Sequence, residues 1–279
     1  MSWLVPDGWL LRAVLASMLV ALACAPVGVF LYLRRQSLLV DALAHVALPG
    51  IVFAVLLTGS LAPGALLVGA VITGLFTTWS IEALSRLPRI RPDAAIGVVF
   101  TSLFALGLLL LSSRLDGVHL DVEHALYGDV LAVGEGSFVL LWCVTPVLLA
   151  LIALALPTLS LASFDERYAA SLGVPVIGVH YALTSSATLA TVASFEAVGA
   201  VLVVAFVIVP AATAHIVARS VVGMIAWAVG FAWLAVACGV AFSLVIDAST
   251  SGAIVACAGV IYLLVFLFAP RYGWLTSGR

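Results

Sequence analysis

Residues 34–58 read RRQSLLVDALAHVALPGIVFAVLLT. Two arginines are followed by an apolar run whose only ionisable side chains are Asp41 and His45. The run is long enough, as a helix, to cross a hydrocarbon core of about 30 Å. Runs of the same kind recur down the chain, which has 279 residues, 65% of them hydrophobic and 9% charged. Soluble domains hold roughly 45–50% apolar and about 25% charged residues, so the composition describes an all-α polytopic membrane protein.

Breaks at charge, glycine and proline predict nine spans in a single domain over 1–279, near 9–32, 37–58, 62–85, 94–112, 137–156, 176–193, 197–217, 221–245 and 250–269. The first segment lacks a basic start and is long for a secretory leader, so it reads as a retained span. Only Ser194, Phe195 and Glu196 separate the sixth and seventh segments, which leaves room for a broken or re-entrant helix there. Such backbone is tolerated at membrane depth only inside protein or beside a wet cavity.

Arginine gives a direction, because loops on the cytoplasmic side carry the positive excess. Arg34, Arg35, Arg86, Arg89, Arg91, Arg167, Arg219, Arg271 and Arg279 fall on one side of the nine-span arrangement, with Arg12 and Arg114 on the other. The expected topology has its N-terminus outside and its C-terminus in the cytoplasm. The net charge of -2 and the absence of any basic tract give no sign of a nucleic-acid partner. Cys24, Cys143, Cys238 and Cys257 form no CxxC pair and read as small hydrophobes.

Asp41 and His45 are spaced four apart, so they share one helix face. Counted from Arg35 at about 1.5 Å per residue, they lie roughly 9 and 15 Å into the membrane. An acid at that depth costs about 2.5–3.5 kcal/mol on insertion scales, which makes such a residue a functional candidate by default. One carboxylate and one imidazole suit manganese, zinc or iron. A helix-internal hydrogen bond or a proton relay would use the same two groups. Pro49 weakens the backbone ladder beside them. Glu196, His180 and His215 are weaker candidates: Glu196 reads slightly more as an interfacial charge than as an entry ligand, and a lone histidine near the boundary is more often a satisfied helix residue than a ligand. Asp247 reads as a loop residue.

Two loops carry the remaining polar chemistry. The outer loop, 113–136, holds Asp116, His119, Asp121, Glu123, His124, Asp129 and Glu135. It would attract cations at a channel mouth or simply lie solvated on the headgroups. In the inner loop, 157–175, Ser163 and Glu166 have the spacing of a capping box, and Gly173 and Pro175 are stop signals, so a short helix is expected over 164–172. Phe164, Tyr168 and Leu172 make an apolar stripe on it, fit to lie on lipid or to enter a groove of another protein. No phosphate loop is possible without lysine, and neither HExxH nor GxSxG occurs, so the chain shows no sign of being an enzyme.

The stretch RRQSLLVDALAHVALPGI resembles the second span of permeases from the manganese/zinc/iron class of ABC importers, the ABC-3 class, where a basic pair, D-A-x-x-H and P-G recur. LYGDVLAV at 126–133 looks like that family's outer segment, FDERYAASLGVPV like its cytoplasmic loop, and SFEAVGAVLVVAFVIVPAATA like its late signature. Ala44 departs from the family's common serine, which removes a hydroxyl beside His45. The resemblance implies a type II importer permease in a prokaryotic cell membrane, with two copies forming the path, a separate dimer of cytoplasmic ATPase subunits, and an extracytoplasmic metal-binding protein. It implies that Asp41 and His45 are transit ligands for a divalent manganese, zinc or iron ion with no permanently bound cofactor. It makes the 164–172 helix, with Phe164, Asp165, Glu166, Tyr168, Leu172 and Gly173, the element that couples to the ATPase. It assigns His119, Asp121, Glu123 and His124 to the docking face for the binding protein. The competing readings are a permease for a metal chelate, haem or siderophore, an ion-coupled secondary carrier, and, more distantly, a membrane enzyme.

Overall fold

The structure is a computed structural model and describes residues 8–59, 62–114, 130 and 133–269. Ten α-helices of four residues or more make up the described chain: α1 (Gly8–Leu33), α2 (Leu38–Thr58), α3 (Pro63–Ser85), α4 (Pro92–Arg114), α5 (Glu135–Phe164), α6 (Glu166–Ser171), α7 (Val176–Val198), α8 (Ala200–Val217), α9 (Val221–Ile246) and α10 (Thr250–Phe268). All but the short α6 are long and apolar enough to cross a membrane. Arg34, Arg35, Arg86, Arg89, Arg91, Arg167 and Arg219 therefore collect at the end of the bundle where α6 lies, and Arg12 at the other.

Helix α1 runs through the middle, packed on α5, α7, α8 and α9, with Val20, Val27, Phe30 and Leu31 fully buried. On one side α8, α9 and α10 close against each other; on the other, α2 packs on α3 and α4, and α3 on α7. Apolar side chains gain little by leaving lipid for protein, so association relies on close approach of small residues. Gly28 of α1 lies against the backbone of Val207 in α8. A Cβ on Gly50 of α2 would stand 2.6 Å from the Cα of Ala70 in α3, and one on Gly107 of α4 would stand 2.8 Å from Pro49 Cβ. These contacts hold α2 between its two neighbours.

The fifth span is longer than 137–156 and shortens the inner loop, because Pro157 does not end it. Thr158 and Ser163 return their hydroxyls to the carbonyls of Ala155 and Leu159, so the polar residues that read as breakers are satisfied inside the helix. This also corrects the capping box: Ser163 is occupied within α5. The cap of α6 is Asp165, whose carboxylate accepts from the Tyr168 N–H at 2.9 Å.

Helix α6 spans Glu166–Ser171, shorter than the expected 164–172 because Phe164 still belongs to α5 and Asp165 is extended at φ -146°; its end is closed at Gly173, which has φ 80°. There the Val174 N–H donates to the Ala169 carbonyl and the Gly173 N–H to that of Ala170, the paired bonds of a Schellman motif.

The crowded region holds two helices, α7 and α8, with Gly199 at φ 82° between them, and each is long and apolar enough to cross a membrane. Glu196 is thus in the last turn of α7, with no loop around it. Asp247 caps α9 in the left-handed region, in line with a loop position.

Candidate functional site

Helix α2 begins at Leu38, so Asp41 lies in its first turn, where the helix dipole favours an anion. His45 follows one turn later, about 10 Å along the axis from that start. This is shallower than the count from Arg35, because Arg34, Arg35 and Gln36 form a turn before the helix opens. The two side chains approach to 3.8 Å, Asp41 Oδ1 to His45 Nε2, beyond hydrogen-bonding length, and are 55% and 34% exposed. They are the accessible edge of a helix whose neighbouring positions, Leu39, Val40, Ala42, Leu43, Ala44 and Val46, are buried.

Phe100 and Phe104 of α4 stand beside the imidazole, with ring centroids 5.9 and 6.1 Å away. Their contact limits ring rotation, so His45 is held on the same side as Asp41. Pro49, four residues on and inside α2, has no N–H, so the carbonyl of His45 lacks its usual helical donor. The place therefore offers a carboxylate, an imidazole and a freed carbonyl on a pre-organised helix. Among the described residues, no group of three or more His, Cys, Asp or Glu side chains could hold a metal ion. The pair is at most half of a coordination shell.

The other candidates lie apart from it. Glu196 accepts a hydrogen bond from Ser137 of α5 at 3.1 Å, at the end of the bundle opposite α6. His215 packs on Tyr32, with centroids 5.2 Å apart, and both line an open pocket of about 520 Å³ with Arg35, Ser37 and Leu38. His119, Asp121, Glu123 and His124 lie outside the described residues.

His180 of α7 sits between two carboxylates. Its Nδ1 is 3.1 Å from Glu82 Oε1 and its Nε2 is 3.0 Å from Glu166 Oε1. The first contact has hydrogen-bond geometry and the second does not. Acceptors on opposite edges of one ring cannot converge with it on a single ion. Glu82 also accepts from Arg86 at 2.7 Å.

Glu82 is the residue that sequence reasoning missed. It is buried at the arginine-rich end of α3, and its one signal is the arginine four positions on. Arg34, with a side chain only 5% exposed, reaches Glu166 at 4.0 Å. Burial pulls the Arg34 guanidinium down from its usual pKa, and Glu166 and then Glu82 oppose that shift.

On α6, Ala169 faces the bundle while Tyr168 is exposed, as are Phe164 at the end of α5 and Leu172 at the C-cap of α6. The extended Asp165 separates Phe164 from α6, so the three are exposed large apolar side chains of one segment and do not form a stripe on a single helix.

The model of the ABC 3 transport family matches residues 7–269. This chain belongs to that family. Among ABC 3 relatives, the manganese transport system membrane protein MntD of Bacillus subtilis (strain 168) is 39% identical, over 97% of this chain and 95% of that protein. The zinc transport system membrane protein TroD of Treponema pallidum (strain Nichols) is 36% identical, over 94% and 75% respectively. Among solved structures, PsaBC from Streptococcus pneumoniae in complex with Fab superposes with a TM-score of 0.84 at 31% identity, covering 98% of this chain and 96% of that one. The all-helical bundle is thus the architecture of an ABC 3 membrane protein over almost its whole length.

Proposed function

We propose that this chain is the membrane permease subunit of an ATP-driven importer of manganese, zinc or iron ions, working as a pair of copies in a prokaryotic cell membrane. The observation that carries the reading is the Asp41–His45 pair: two hard-to-bury ligands, aligned on one face, left unbonded to each other and partly open. Membership of the ABC 3 transport family, with relatives named for manganese and zinc transport, supports a metal ion as the cargo.

In this account the arginine-rich end faces the cytoplasm, in keeping with the positive-inside rule. The exposed apolar side chains of the α6 segment, Phe164, Tyr168 and Leu172, dock in a groove of a cytoplasmic ATPase, which carries out the hydrolysis that this chain has no motif for. An extracytoplasmic metal-binding protein delivers the ion to the far end, with His119, Asp121, Glu123 and His124 in its docking loop. Each copy supplies a carboxylate and an imidazole to a central path, and two copies supply two of each. Neutral imidazole and carboxylate hold first-row divalent ions without the strength of thiolates, which suits a site that has to release what it binds. A chelate or haem would not need two such ligands on one face.

Reconstitution of the chain with its partner ATPase in lipid vesicles tests this directly. ATP-dependent accumulation of free Mn²⁺, Zn²⁺ or Fe²⁺ is the expected result. Uptake driven by a proton gradient without an ATPase, or uptake of chelates alone, would contradict it.

A further inference from the structure

The short helix α6 is tied to the transmembrane bundle by a line of charge that crosses four elements. Glu166 in its first turn lies 3.0 Å from His180 of α7, His180 lies 3.1 Å from Glu82 of α3, and Glu82 lies 2.7 Å from Arg86. The same Glu166 oxygen is 4.0 Å from Arg34, in the turn between α1 and α2. Arg86 is further held over the ring of Tyr181 at 5.3 Å.

Two features set this line apart from ordinary surface ion pairs, which contribute little. Glu82 and Arg34 are each about 5% exposed as side chains, so removing a partner leaves a buried charge. Both terminal nitrogens of Arg34 and Nε2 of His180 have no hydrogen-bond acceptor, although Glu166 stands next to both residues. The cluster is therefore incompletely closed. Moving Glu166 roughly 1 Å toward Arg34 would bring that pair to hydrogen-bonding length.

The two ends of the line lead to the candidate ion ligands. Arg34 is separated from Leu38, the start of α2, by three residues, and Asp41 is in the first turn of that helix. Glu82 is on α3, which packs on α2 through Gly69 and Ala70 against Gly50. Two sets of contacts thus connect α6 with α2, one electrostatic through the turn at Arg34 and one along α3 to the packed backbone at Gly50.

We propose that Arg34, Glu82 and His180 are positioning residues that seat α6 on the bundle through Glu166 and pass its displacement to the Asp41–His45 helix. The inference rests on the proposed role of α6 as the element moved by the ATPase. Glu166 exchanges its partner between His180 and Arg34 as α6 moves, and the buried Glu82, held by Arg86, keeps His180 from following it. Residues of this kind touch neither the ion nor the nucleotide, yet replacing them changes how two remote events are linked.

The test uses the full permease–ATPase complex in vesicles, with whichever free ion of Mn²⁺, Zn²⁺ and Fe²⁺ the unaltered complex accumulates as the probe, and reads metal taken up per ATP hydrolysed. Glu82→Gln and His180→Gln are expected to lower that ratio roughly 2- to 30-fold while ATP hydrolysis itself continues. Arg34→Lys, which keeps the charge, should fall less than Arg34→Met, and it serves as the second variant if Glu82→Gln gives no folded complex. A merely structural role would reduce uptake and hydrolysis in equal proportion with the amount of folded complex. That outcome, or an unchanged ratio in all the variants, overturns the inference. Failure of the unaltered complex to move Mn²⁺, Zn²⁺ or Fe²⁺ with ATP counts instead against the proposed function, and the inference falls with it.

Discussion

Gly107 of α4 lies against Pro49 of α2 so closely that an added Cβ would stand 2.8 Å from Pro49 Cβ and 2.9 Å from its Cα. The proline ring is rigid and its Cα is backbone, so neither can move aside for a side chain. The contact also sets the distance from Phe100 and Phe104, on the same α4, to His45.

Gly107→Val therefore pushes α4 away from α2. Overpacking of this kind costs about 1–3 kcal/mol. The purified protein should unfold at a lower temperature than the parent, and metal uptake should fall because the aromatic wall of His45 retreats. Gly97 of the same helix meets nothing within 4 Å of an added Cβ, so Gly97→Ala is the control expected to leave both unchanged.

The cap of α6 separates two readings of one loop. Asp165 accepts the Tyr168 N–H, whereas Ser163 donates back into α5. Asp165→Ala should loosen α6 by about 1 kcal/mol, as the loss of a helix cap usually does. Hydrogen exchange at Tyr168 should quicken, and association with the ATPase should weaken. Ser163→Ala should do neither. Equal effects from the two replacements would restore the capping box that the structure does not contain.

Tyr168 is exposed on α6 between two other exposed apolar side chains, Phe164 at the end of α5 and Leu172 at the C-cap of α6. If the segment enters a groove, truncating an anchor of this type costs more than about 1 kcal/mol, or roughly fivefold or more in affinity. Tyr168→Ala should thus lower co-purification of the ATPase without altering the thermal stability of the permease, since the ring is not part of the folded core. Retained binding would mean that the segment lies on lipid.

The spans were legible because a membrane helix declares itself by mean apolarity over about twenty residues, whatever its periodicity. Less legible was where polar groups are satisfied. Pro157, Thr158 and Ser163 look like punctuation in a linear reading, yet hydroxyls that bond back to the preceding turn let α5 continue to Phe164. The junction at Gly199 needs a single residue because glycine enters the positive-φ region freely, something a hydropathy reading cannot separate from a bend.

Asp41 and His45 stood out since both come from one helix and one turn. Glu82 did not, because its meaning depends on His180 and Glu166, which lie 98 and 84 positions away in the chain. Local spacing identifies pairs within an element, while clusters assembled from three elements emerge only with the packing.

The central claim is that Asp41 and His45 carry the ion, and ATP-dependent Mn²⁺, Zn²⁺ and Fe²⁺ uptake by vesicles bearing Asp41→Asn and His45→Gln is its most direct measurement. Both side chains are partly exposed, so these near-isosteric replacements leave the fold and the ATPase contact intact. The account predicts that each variant still assembles and hydrolyses ATP but loses roughly tenfold or more of its uptake, about what removal of one good ligand from a weak site would cost. Uptake at the parental rate in both variants would contradict it and place the ion's path elsewhere in the bundle.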